Sequence, residues 1–83
     1  MLQENTLPTV SLCEMHENAH GTISKIDGDS RFISRIVSIG LTPGSAFTLL
    51  KNDGHSPLLV FCRDTVIAVN RKESSQIAVL VEA

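Results

Sequence analysis

Cys13, His16 and His20 stand at Cys-x2-His-x3-His spacing, and their residue types suggest metal chemistry. A thiolate and two imidazoles would suit Zn(II) or Fe(II). On a continuous helix, positions 13, 16 and 20 would share one face, but Asn18 and Gly21 break a helix near its end. A closed site would want a fourth ligand, for which Glu17, His55 and Cys62 are the candidates. The plainer reading is two surface histidines and a small buried thiol, with no metal required. Catalytic constellations are missing: no Gly-x-Ser-x-Gly turn frames a serine. The run Gly40-Leu41-Thr42-Pro43-Gly44 lacks the Lys-Ser/Thr of a phosphate-binding loop. Asp27 and Asp29 flank a turn glycine and read as solvated turn residues. The chain is therefore not expected to be an enzyme.

Whatever these residues do, a small domain must position them. The 83 residues allow one domain with a modest core. Hydrophobic residues make up 42% of the chain, enough for a core, and with three Phe and neither Trp nor Tyr that core must be Ile, Val and Leu. Seven Lys and Arg against nine Asp and Glu give a net charge of −2, which argues against a nucleic-acid binder. No apolar run approaches the roughly 20 residues that span a bilayer. Residues 1–9 show neither a basic n-region nor an apolar h-region, so a cytoplasmic chain is expected. Cys13 and Cys62, far apart, then read as free thiols of a reducing compartment. Cys62, between Phe61 and Arg63, reads as a core thiol.

Residues 1–10 read as a flexible arm and 11–83 as a single domain. Ser11 with Glu14 three residues on suggests a capping box over a short helical turn. Asn18 can end that turn in a left-handed conformation. Residues 21–26 suit a short strand with an irregular end, and Asp27-Gly28-Asp29 a turn. Residues 31–39 are the best helix: Phe32, Ile36 and Ile39 form a stripe that Ile33 and Val37 widen. Ser30 is read as its N-cap and Gly40 as its stop, with Pro43 forbidding continuation. Strands follow at 46–51, 58–63, 66–69 and 77–81, with an Asn70-capped turn at 71–74. Five short strands joined by tight turns predict a mainly β fold, a small closed or nearly closed barrel carrying one helix and one or two helical turns. The pair Arg31/Arg35 and the pair Arg71-Lys72 read as solvated faces that could also meet an acidic partner.

The order Leu12-x-x-Met15, Gly21-x-Ile23, Arg35-Ile36-x-x-Ile39-Gly40-Leu41-x-Pro43-Gly44, Pro57-Leu58-x-Val60, Ile67-Ala68-Val69 and Ile77-x-Val79 resembles the ferrous iron transport protein A (FeoA) family. Residues 39–44 are its most specific part, with Gly40, Leu41, Pro43 and Gly44 as the structural motif. The family usually has Gly where Asn18 stands, a turn-former near Asp64 and often Ala where Ser74 stands. The resemblance implies a five-stranded SH3-like barrel in a cytosolic accessory protein of bacterial Fe(II) uptake. Its implied partner is a membrane permease with a cytosolic GTP-binding domain. Leu41, Leu50 and Leu58 are expected at that contact as exposed apolar positions, with Arg31 and Arg35 at its rim. The alternative is a metal-binding regulator or carrier using Cys13, His16 and His20. A detached relative of the barrel appended to iron-dependent repressors is a third reading, in which the missing DNA-binding helices and the negative charge leave no DNA contact. Apolar strand edges also raise a homodimer.

Overall fold

The computed structural model describes residues 9–82. Six antiparallel strands form one sheet in the order β1-β6-β2-β3-β4-β5. They are β1 (Val10–Ser11), β2 (His20–Ile26), β3 (Ala46–Lys51), β4 (Leu58–Cys62), β5 (Thr65–Val69) and β6 (Ile77–Val81). The five expected strands are all present. The sixth, β1, lies against β6 through Val10↔Val79 and Ser11↔Ala78, so Val10 belongs to the sheet and not to an arm. Residues 1–8 of the expected arm lie outside the described residues.

Period-two alternation decides which side chains go inside. Phe47 and Leu49 from β3, Leu58, Val60 and Cys62 from β4, Ile67 and Val69 from β5, and Ile77 and Val79 from β6 meet in one buried cluster with Leu12, Met15, Ile23, Ile26, Ile36 and Leu41. Cys62 is a core thiol as expected, its Sγ 3.4 Å from the Ala46 carbonyl oxygen. β2 skips register between Ile23 and Lys25, and β3 between Leu49 and Lys51, which bends each strand around the core.

Helix α1 (Ser30–Ser38) starts one residue earlier than the apolar pattern suggests. Asp29, not Ser30, is its N-cap: the Asp29 carboxylate accepts from the Phe32 N–H at 2.8 Å. The helix buries a narrower stripe than expected. Ile36 is fully buried, Phe32 and Ile33 are half-buried, and Val37 and Ile39 stay exposed. At its other end the Leu41 N–H donates to the Ile36 carbonyl at 3.2 Å and the Gly40 N–H to that of Val37 at 3.0 Å. This reciprocal pair is the Schellman closure, with Gly40 at φ 111° as its left-handed residue. Leu41 and Ile36, the two apolar residues of the closure, are both fully buried.

A second short helix, α2 (Arg71–Ser74), is capped by the Asn70 side chain, which accepts from the Glu73 N–H at 2.8 Å. A 3-10 turn covers Leu12–Glu14, and Glu14 accepts from the Ser11 N–H as the capping box requires. The Ser11 hydroxyl also donates to the Ser75 carbonyl at 3.3 Å, tying the turn to the chain after α2. Asn18 does adopt the left-handed conformation, with φ 70°.

A methyl group at Gly40 would meet only the Ile67 Cδ1 at 3.5 Å, an ordinary contact. The cost of Gly40→Ala is therefore backbone strain: about 1–2 kcal/mol lost in chemical denaturation, with the core otherwise unchanged.

Candidate functional site

The metal-chemistry residues are dispersed. The 3-10 turn ends at Glu14, Met15 is extended, and His20 opens β2, so the helical face that would gather Cys13, His16 and His20 does not form. His20 Nδ1 lies 2.8 Å from the Thr48 hydroxyl, and Cys62 is buried in the core. Among the described residues, no group of three or more His, Cys, Asp or Glu side chains is placed to hold a metal ion.

Asn52, directly after β3, fixes this segment. Its Nδ2 donates to the Cys13 carbonyl at 2.9 Å and the Met15 carbonyl at 2.8 Å. Its Oδ1 accepts from Arg71 Nη1 at 2.9 Å, and its N–H donates to the Glu17 carboxylate at 2.8 Å. One amide thus binds the 3-10 turn, the end of β3 and α2. Position 52 carries no periodic or motif signal; only the three-dimensional meeting of 13–17 with 71 makes it a hub.

Two of the expected partner-contact residues are corrected by the structure. Leu41 and Leu58 are fully buried, not exposed. The Schellman closure draws Leu41 inward, and Leu58 opens β4 on its core-facing side, opposite Val69. Leu50 is exposed, at 39%. On α1, Arg31 is exposed, while Arg35 pairs with Glu73 of α2 and lies over the Phe32 ring. Arg35 is thus engaged in holding the two helices together.

The exposed apolar surface lies elsewhere. Register places His20, Thr48, Phe61 and Val66 in one row across β2, β3, β4 and β5 on the outer face. Phe61 is 40% exposed and Val66 53%. An open groove of ≈ 460 Å³ runs here, lined by His20, Thr48 and Phe61 and edged by Arg63, Asp64 and Glu82. At its end, Arg63 and Asp64 form the two-residue turn between β4 and β5, both at positive φ (54° and 63°), the geometry of a type I′ hairpin. Arg63 Nη2 donates to Ser45 Oγ at 3.1 Å and Thr42 Oγ1 at 3.3 Å, and those hydroxyls are 2.6 Å apart. The hairpin tip is so fastened to the loop that leaves α1. The alternation of residues 58–63 implied that Phe61 faces outward, but the sequence reading did not single it out as a contact.

The loop from β3 to β4 is organised by Asp53. Its carboxylate accepts from the His55 and Ser56 N–H groups at 2.8 and 2.7 Å. These backbone bonds, aided by Lys51, hold its pKa well below the usual aspartate range.

The arrangement is that of a small SH3-like barrel with its helix end sealed onto the core and an apolar outer face. The FeoA domain family model matches residues 10–81, and the chain belongs to that family. The crystal structure of an iron uptake regulatory protein (FeoA) superposes with a TM-score of 0.85 at 24% identity, covering 90% of this chain and all of that one (100%). FeoA of Stenotrophomonas maltophilia complexed with zinc, described as a prokaryotic SH3 domain protein, superposes with a TM-score of 0.66 at 19% identity, covering 88% of this chain and 89% of that one. A manganese-dependent transcriptional repressor reaches a TM-score of 0.85 at 20% identity, covering 96% of this chain and 45% of that one. At these identities the likeness is one of fold. No curated protein sequence matches the chain.

Two outcomes test this geometry. Asn52→Ala leaves two carbonyls and a guanidinium short of a partner, which should cost about 2 kcal/mol in chemical denaturation. Asn52→Asp keeps an acceptor for Arg71 but loses the Nδ2 donors and should also destabilise. For Asp53, an unfolded aspartate titrates near about 4 and the folded group lower. Its stabilising contribution is thus complete above about pH 4 and is lost as pH falls through the folded value. Carboxyl 13C shifts against pH should show the depressed midpoint, and the stability gap to Asp53→Asn should close at acid pH.

Proposed function

We propose that this chain is a cytosolic accessory protein of ferrous iron uptake that docks on the GTP-binding domain of a membrane Fe(II) permease and modulates transport. The observation that carries the reading is the FeoA family match over residues 10–81, since that family is linked to ferrous iron transport. No helix among the described residues is long and apolar enough to cross a membrane, so the membrane component would be the partner. The outer face of β3 and β4 supports docking. Phe61 is exposed there in the groove, Leu50 is exposed on β3, and Arg63 at the groove's end has no acidic partner among the described residues. Apolar anchors rimmed by charge suit a small, transient contact. Arg31 adds a charge on α1. The metal-carrier alternative finds less support, because Cys13, His16 and His20 lie on three differently shaped segments.

The test is pull-down of the permease's isolated GTP-binding domain by this protein, with and without GTP. Retention is expected in at least one nucleotide state. Phe61→Lys and Leu50→Lys, both on exposed positions, should each weaken it about tenfold or more while leaving the fold intact. A folded protein that captures the domain in neither state rules the reading out.

A further inference from the structure

Among the described residues, the sheet ends in an undefended edge. β5 is its last strand. The pair Cys62↔Thr65 closes the two-residue turn, so Thr65, Ile67 and Val69 exchange hydrogen bonds with β4. The N–H and C=O groups of Val66 and Ala68 point the other way, and no loop, turn or side-chain hydrogen bond of the described residues meets them. Edge strands are ordinarily protected by charge, proline or a bulge. β5 reads Thr-Val-Ile-Ala-Val, and its register with β4 is unshifted. The opposite edge, β1, has two residues only.

We propose that two copies of this chain associate through β5, antiparallel and two-fold symmetric, with Val66 of each copy hydrogen-bonded to Ala68 of the other. Ile67 sits at the axis, as an isologous contact requires. The outward side chains of Val66 and Ala68 come side by side and extend the apolar row that begins at Phe61.

Charge selects both the occupant and the direction. Asp64 immediately precedes the strand and Lys72 follows it beyond Asn70 and Arg71. Both are exposed, and neither forms an ion pair among the described residues. The neighbouring guanidiniums are turned away, Arg63 onto the Ser45 and Thr42 hydroxyls and Arg71 onto Asn52. Antiparallel pairing brings the Asp64 end of one copy to the Lys72 end of the other, twice by symmetry. Parallel pairing would oppose Asp64 to Asp64. A second copy therefore supplies both the missing strand and the complementary charges. An edge of five residues is a small interface, so the dimer is weak and concentration-dependent. The association uses the backbone edge of β5, is independent of docking on the outer face, and is measured on the purified chain alone.

Sedimentation velocity of the full chain from about 10 µM to about 1 mM should show a monomer giving way to a dimer. Amide exchange at Val66 and Ala68 should slow as concentration rises. Ala68→Pro removes one outward N–H, a change an edge strand tolerates. Val66→Lys places a charge on an exposed position. Each should weaken dimerisation by about tenfold or more with the monomer still folded. Asp64→Lys should weaken it by about threefold to tenfold, and adding Lys72→Asp should restore it. A chain that stays monomeric throughout overturns the proposal. So does a dimer that ignores Val66→Lys and leaves both amides unprotected. Protection of those amides in a monomer by a strand of another protein overturns it as well.

Discussion

The fold depends on how one helix ends. An α-helix leaves its last carbonyls unsatisfied, and in so small a domain that polar end cannot be buried beside the core unpaired. Gly40 resolves this by turning left-handed, which lets its own N–H and that of Leu41 reach back to the Val37 and Ile36 carbonyls. Once those bonds form, Leu41 has one place to go, into the core beside Ile36. Everything after it inherits that geometry. The chain turns at Gly44, whose N–H donates to the Ile23 carbonyl at 2.8 Å. It is then stitched again to β2 by the Ile23 N–H donating to Ser45, and β3 begins at a fixed register.

The same constraint explains the division of the surface. With the helix end sealed and Ile36, Leu41, Leu58 and Leu49 all committed inward, the proposed docking is left to the remaining face. That face is the outer side of β3, β4 and β5, where the pleat turns Leu50, Phe61 and Val66 outward. Polar bonds then hold the frame around it. Asn52 fixes one side by joining the 3-10 turn to α2, and Arg63 the other by joining the hairpin tip to the loop after α1.

Elements governed by local physics were legible in the sequence. The apolar periods at 31–39, 46–51, 58–63 and 77–81 gave the helix and strands, although Arg63 falls in the turn and β5 starts at Thr65, and Gly40 with Pro43 marked the helix end. What failed was inference that needed a third dimension. Leu41 and Leu58 were expected as exposed apolar positions, yet tertiary closure buries both. Asp29 displaced Ser30 as the cap because both are competent N-cap residues and only the backbone path chooses between them. β1 was invisible because two residues carry no period. The Cys-x2-His-x3-His spacing suggested a site that helical continuity would have made, and the extended Met15, followed by the left-handed Asn18, removes that continuity.

A barrel that shares its fold with FeoA proteins and with part of a larger metal-dependent repressor owes its role to surface rather than architecture. The core residues here are interchangeable in kind: Ile, Val and Leu filling a cylinder. The outer row from His20 to Val66 is not, because it joins a ring nitrogen, a hydroxyl, an aromatic face and an aliphatic edge across four strands. Substitutions in the core would alter how well this chain stands, by lost packing. Substitutions in the outer row would leave the cylinder in place and alter what it meets. Under the docking and edge pairing proposed above, specificity is carried by the side chains the pleat excludes from the core and by the strand edge at which the sheet stops.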